Sequence, residues 1–255
     1  MQIWRIYSSF KMRKKLINSY ITFKERGFKV LISALFYYFK LLFYKYILKK
    51  NTLKKKIFNS YMHLSTNDPG ISKTLILFGK RELEQKYIMN LVLSKNMTVL
   101  DIGANIGYYA LIELNLIGHG GYLIAVEPSP SNYSSLKKNI EQNKFKNFEV
   151  HNIAISDEVN KKEFYLSRSS NLNTFHKSDD LSLDLSGEKI EVQTETIYSL
   201  VNDKKIDLIR MDVEGHEVSI FKSLINYVSK TNIKPMILFE PHLSRYNKEN
   251  DMAKT

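Results

Sequence analysis

Four carboxylates, Asp101, Glu127, Asp212 and Glu240, each stand where a short apolar run ends. If those runs are strands alternating with helices, the four acids share one edge of a sheet. A row of buried or half-buried acids is costly unless something pairs with it, and a cationic, hydroxyl-rich ligand would supply that pairing. The third acid heads the densest polar group in the chain, Arg210-Met211-Asp212-Val213-Glu214-Gly215-His216-Glu217. Three acids and a histidine there are proton acceptors suited to acid–base work or to stabilising a cation. Glu217 reads equally well as a helix-entry acid set against the helix dipole. Glu240-Pro241-His242 brings a second histidine to the same edge. These side chains offer oxygen and nitrogen ligands, but in no spacing of high specificity, so no metal site is assigned.

Ahead of this group lies Val99-Leu100-Asp101-Ile102-Gly103-Ala104-Asn105-Ile106-Gly107-Tyr108-Tyr109, an apolar run closed by an acid, a glycine-punctuated turn, and an apolar run that can be helical. The glycines let a backbone approach a ligand closely, and the first N–H groups of the helix favour an anionic group. The G-x-x-x-G spacing differs from the dinucleotide fingerprint, which disfavours a nicotinamide-dependent oxidoreductase. Glu127 follows Asp101 by 26 residues, at the end of the next strand. An acid there is placed to accept both hydroxyls of a ribose.

The elements that must position these residues alternate along the chain. Strands are expected at Thr98–Ile102, Tyr122–Glu127, Phe148–Ile153, Ile206–Met211 and Met236–Glu240. Helices are expected at 81–93, about 107–116, from Pro130 to about Asn143, and at Glu217–Val228. Two further strand-like runs, Glu163–Leu166 and Ile190–Thr194, flank the polar loop SRSSNLNTFHKSDD. This order implies a parallel sheet with helices on both faces, whose ligands sit beyond the carboxyl ends of the strands.

The charge is uneven. The 255 residues carry +12 overall, yet residues 1–60 hold 15 basic side chains and one acid, Glu25. The basic excess belongs to that segment and points to a polyanionic partner. Residues 1–60 are read as a basic amphipathic helical segment and 61–255 as the catalytic domain, with a turn at Asn67-Asp68-Pro69-Gly70. On a helical wheel Leu31, Ile32, Leu35, Phe36, Phe39, Leu42, Phe43 and Tyr46 share one face, and Lys29, Ser33, Tyr37, Lys40 and Tyr44 lie opposite. Residues 28–56 therefore read as an interfacial helix on an anionic membrane, or as a helix packed on the domain with solvated charges. The run without a charge, Val30 to Phe39, is short of the ~18 residues that suggest a span. The chain has no cysteine, which removes disulfides and thiolate chemistry and fits a cytoplasmic protein, with membrane association as the added reading.

The chain resembles FkbM-type methyltransferases. The resemblance is carried by Asp68–Ser72 (DPGIS), Gly79–Glu82 (GKRE), Val99–Leu111 (VLDIGANIGYYAL), Val126–Asn143, Ala154–Asp157 (AISD), Ile206–Glu217 (IDLIRMDVEGHE) and Lys234–His242 (KPMILFEPH). It implies a class I, Rossmann-like methyltransferase fold of three layers, S-adenosylmethionine as methyl donor, and a hydroxyl acceptor on a glycan or small natural product. By that likeness Asp101, Gly103, Asn105 and Gly107 line the methionine end of the donor, Glu127 holds the ribose, and Ala154 and Asp157 lie near the adenine. Asp212, Glu214 and His216 face the acceptor; His242, from its place at the same sheet edge, is a further candidate base. A nucleic-acid methyltransferase is the alternative suggested by the basic segment, although no N-P-P-Y loop is present; a non-catalytic cofactor-binding protein is another. Three departures stand out. Arg210 replaces the family's lysine, Thr196-Ile197-Tyr198 lacks an expected acid, and only 15 residues follow Glu240. The fold would then lack its C-terminal strand pair and leave Met236–Phe239 as an apolar edge, to be covered by a partner, a second copy or the N-terminal segment.

Overall fold

Strands buried on both faces read as continuous apolar runs, and the centre of this protein is built from such runs. A computed structural model describes residue 24 and residues 27–176 and 185–242, with only the backbone of 185–187. Within it β3 (Thr98–Ile102), β4 (Tyr122–Val126), β5 (Phe148–His151), β9 (Leu208–Met211) and β10 (Met236–Phe239) form an all-parallel sheet in the order β10-β9-β3-β4-β5. The period of two decides which residues face which layer. Val99, Leu123, Ala125 and Leu208 point into the core beneath α4 (Tyr108–Ile117). Leu100, Ile102, Ile124, Val126, Ile209 and Met211 point into the opposite core, against α7 (Glu217–Thr231). By the same alternation Asp101 and Arg210 fall on the α4 side, although neither is apolar. The result is the expected three-layer, Rossmann-like arrangement with a mainly parallel sheet.

Two smaller sheets flank the central one. The first is a hairpin of β1 (Thr52–Ile57) and β2 (Ser60–Ser65). Its outer edge is satisfied by α5 (Pro130–Glu141) and the turn after it: Asn139 accepts the His63 amide at 2.7 Å, and Asn143 accepts the Tyr61 amide at 2.8 Å. Side-chain amides here close a strand edge that would otherwise be open. The second sheet joins β6 (Ala154–Ile155), β7 (Asn160–Ser167) and β8 (Leu185–Glu195) in the order β6-β8-β7. Two short helices complete the lower layer, α2 (Ile71–Phe78) and α3 (Leu83–Val92), and α6 (Ile197–Val201) enters through a Thr196–Ser199 capping box.

Several expectations are corrected by these elements. The basic run at 54–56 does not extend the helical segment: Thr52–Ile57 is a strand in which Leu53 and Ile57 point inward. Lys55 shares their parity and broke the apolar alternation that would have revealed it. Its ammonium donates to the Ile76 carbonyl at 2.6 Å and lies 3.5 Å from the Tyr37 ring centroid. Phe148–Ile153 is not one strand, because the chain leaves the central sheet after His151 and joins the second sheet at Ala154. The N-terminal helix α1 (Phe28–Leu42), continued by a wider turn at Phe43–Ile47, packs on α2. Among the described residues β10 pairs with β9 alone, and Met236 and Ile237 are exposed.

Candidate active site

The carboxyl ends of β3, β4, β6 and β9 open into a shared cleft. The loop after β3 forms its floor. Gly103, Asn105 and Gly107 all take left-handed backbone conformations, with φ of 81°, 50° and 88°. At Gly103 this is a steric requirement as well, since a Cβ would stand 2.3 Å from the Asp212 carbonyl oxygen. Gly103 therefore lets the β3 and β9 tips meet under the cleft. The amides of this loop are committed within the protein. Those of Gly103 and Ala104 donate to the Val126 carbonyl, that of Asn105 to Glu127 Oε2 at 2.9 Å, and that of Gly107 to the Ala104 carbonyl. The turn thus offers close approach.

Glu127 is buried beside this loop. Besides the Asn105 amide it accepts the Ser129 amide at 3.0 Å and the Asn132 side chain at 3.4 Å. Burial pushes its pKa up to about 7 despite those hydrogen bonds. A carboxylate has about four acceptor sites, and three are taken, which leaves one for a ligand. Next to it Ala154, Ile155, Phe164 and Phe175 make an apolar wall. An acid for hydroxyls beside a flat apolar wall suits a nucleoside, and the acids on the far side of Gly103 suit a cation.

Those acids follow β9. Asp212, Glu214 and His216 line the cleft. Glu214 has φ of 51°, and Gly215 follows it at 101°. His216 is buried, shares a hydrogen bond of 3.1 Å with Ser156, and lies against Phe175 at 4.4 Å between ring centroids. Burial, followed by neighbouring His176 and Lys162, pulls its pKa down to about 3, so the ring is neutral. His242 differs. Burial lowers its pKa, but a 2.7 Å hydrogen bond to Glu217 and the charges of Glu214 and Asp212 outweigh that and raise it to about 9. Its Nε2 lies 3.8 Å from Asp212 and 3.7 Å from Glu214. One ligand atom from each of the three lies within 4.8 Å of the others, close enough to share a divalent cation, and the protonated imidazole supplies positive charge there from within the chain.

The remaining expected residues sit elsewhere. Gly107 backs onto Leu136, and Asp157 pairs with Ser156 and with Lys162 at 3.3 Å, neither of them lining the cleft. Asp101 is completely buried below it. There Arg210 donates to Asp101 at 2.8 Å and to Asp212 at 3.2 Å, with its guanidinium 3.9 Å above the Tyr109 ring centroid. Glu113 from α4 lies beside Asp101. Burial and the Asp101 charge push its pKa well up, so it stays neutral. Glu240 also points away from the cleft, accepting from Gln85 at 2.7 Å.

The roof of the cleft was not foreseen. The loop after β7 crosses it, and the Ser170 carbonyl accepts from both Asn105 and Asn132 at 2.9 Å. Asp68 clasps this loop from the other side, taking the Ser170 amide and hydroxyl together with the amides of Gly70 and Ser72. The turn-forming Asp68-Pro69-Gly70 and the polar SRSSNLN run were both visible in the sequence, but nothing in either shows that they meet.

Arg210 is the only cation facing Asp101 at bonding distance among the described residues. Replacing it by methionine leaves a buried carboxylate unpaired and should cost about 3–5 kcal/mol in urea unfolding. Arg210→Lys, which keeps the charge but loses the planar fork and the ring stack, should cost less. A methionine variant as stable as the parent would show that Asp101 is matched elsewhere.

Comparison with known proteins agrees with this geometry. Residues 101–254 match the model of the methyltransferase FkbM domain. No curated protein matches the chain. Among solved structures, an S-adenosylmethionine-dependent methyltransferase from Aquifex aeolicus is 19% identical, with 65% of this chain and 72% of that one covered and a TM-score of 0.38. TYW2 from M. jannaschii in complex with AdoMet is 20% identical over 43% of this chain and 52% of that one, TM-score 0.33. TYW2 from P. horikoshii in complex with MeSAdo is 19% identical over 41% and 36%, TM-score 0.33. The chain spans less than half the length of several structures it matches, 43%, 36% and 27% in three cases. The family match covers more than half of the chain, and the chain belongs to the methyltransferase FkbM domain family.

Proposed function

We propose that the protein methylates a hydroxyl group on a glycan or small natural product. The observation that carries this reading is the meeting of Asp212 and Glu214 with a buried neutral histidine at one end of a cleft whose other end holds Glu127 and an apolar wall. S-adenosylmethionine supplies a methyl group on a positively charged sulfur, open to in-line attack. The chain must hold donor and acceptor in line and take the acceptor's proton, so positioning and exclusion of water carry most of the catalysis.

Glu127 suits the ribose hydroxyls, and Ala154, Ile155 and Phe175 the adenine. Gly103 and Asn105 lie between them and the acids, toward the methionine end. Asp212 is our candidate base, held by the Arg210 N–H at 3.2 Å. His242, charged at neutral pH, is unsuited to accept a proton, and His216, with its pKa near 3, is a weak acceptor that orients the loop through Ser156.

The direct test is turnover of labelled S-adenosylmethionine on a panel of hydroxyl, amine and carboxylate acceptors, read by mass spectrometry. Asp212→Asn should lower kcat at least about 100-fold with donor affinity little changed, and His216→Ala should lower it less. Methylation of amines alone, or full activity in Asp212→Asn, would sink the reading.

Donor binding should depend on pH through Glu127. Its raised pKa means the acid form prevails below about 7, whereas accepting a ribose hydroxyl at its remaining acceptor site calls for the ionised form. Affinity by calorimetry should be about tenfold weaker at pH 6 than at pH 8, and Glu127→Gln should abolish the slope. Asp68→Ala, which frees the Ser170 loop from its charged acceptor, should weaken donor binding by about tenfold or more in the same assay.

A further inference from the structure

The helix Phe28–Ile47 presents two opposite faces. Ala34 and Leu41 are buried against the protein, and Tyr37 and Tyr44 pack beside them on the main core. These positions repeat every three or four residues along one side. The other side carries Phe28, Ile32, Leu35, Phe36, Phe39, Phe43, Tyr46 and Ile47, at the same spacing, and all are exposed, Phe36, Phe39 and Ile47 by about two thirds (64%, 66% and 67%). This reverses the usual rule for a surface helix, which turns its apolar stripe to the core. The smaller, more polar face docks and the larger apolar face points outward. A contiguous stripe of this kind marks an interaction surface.

Charge identifies its partner. Residues 27–66 contain eight lysines and no acid. Lys29 on the helix, Lys49 and Lys50 just after it and Lys54 and Lys56 on β1 are exposed. An apolar stripe in so basic a segment is what an anionic bilayer surface receives: rings enter the acyl boundary and ammonium groups stay among the headgroups. At 20 residues the helix is long enough to cross a membrane. A crossing would, however, strip it from α2 and break the contact of Lys55 with Tyr37, leaving Ala34 and Leu41 without the surface they now cover.

We infer that this helix lies in the plane of an anionic membrane surface, with the Phe28–Ile47 stripe inserted and the domain held against the headgroups. The inference is independent of the acceptor's identity, and donor affinity serves as its folding control.

The test is co-sedimentation of the full chain with vesicles of phosphatidylcholine alone or with about one third phosphatidylglycerol. Binding is expected only to the anionic vesicles, falling at least tenfold in 0.5 M salt and on alkaline carbonate extraction. Phe36→Asp with Phe39→Asp should reduce binding at least tenfold while S-adenosylmethionine affinity stays unchanged; both side chains are exposed, so the core is untouched. Replacing Lys49, Lys50, Lys54 and Lys56 by glutamate should do the same. No anionic preference, full binding by the double aspartate variant, resistance to carbonate extraction, or binding to single-stranded RNA in place of vesicles would each overturn the inference. So would a dimer, by light scattering, that the aspartate pair converts to a monomer without any effect on vesicle binding.

Discussion

A guanidinium removed from water must have its charge matched, and the place where this protein does so is the hinge between its core and its cleft. Arg210 lies on a central strand where an apolar residue would ordinarily stand, facing α4. One N–H reaches down to Asp101, which is wholly buried, and another reaches up to Asp212 on the cleft rim. Tyr109 covers the flat face of the cation. Glu113, its pKa pushed well up by burial and by the Asp101 charge, keeps its proton and so avoids adding a second buried negative charge. Breaking such a set is costly even where the set adds little net stability, because each survivor is left charged in a dry place. The orientation of the rim acid is thereby tied to the integrity of the sheet beneath it.

Above that hinge the cleft divides its work by environment. Two histidines reach opposite states: His216, buried on Ser156 and Phe175, is neutral, and His242, ringed by Glu217, Glu214 and Asp212, is charged. Glu127 sits near its titration point for a third reason, burial partly offset by backbone amides. Identical residue types are thus set to different tasks by what surrounds them.

How much of this could be read beforehand depended on whether the signal was local. The parallel strands were legible because β3, β4 and β9 are short apolar runs, each closed by an acid or a turn. Among the cleft residues, Glu127, Asp212, Glu214 and His216 followed from their position at strand ends and Gly103 from the glycine-punctuated turn, whereas Asn105 and Ala154 came through the family resemblance. Asp101 sits at a strand end too, yet it faces Arg210, because side-chain parity within a strand depends on the register of the pleat. The β1–β2 hairpin escaped notice since Lys55 occupies an inward position, made tolerable by the Ile76 carbonyl and the Tyr37 ring. The roof was illegible for a different reason: Asp68 and Ser170 are about a hundred residues apart, and only the folded chain joins them.

That clasp bears on where the working unit begins. The family match starts at residue 101, but the carboxylate gripping the loop over the cleft is supplied 33 positions earlier, and the amide brackets that seal α5 grip a hairpin earlier still. Trimming the polypeptide to the matched span would remove the anchor from the ceiling and the cover from one flank of the helical layer. The segment upstream is therefore structural masonry of the domain itself, and any excised fragment meant to retain the cleft has to include it.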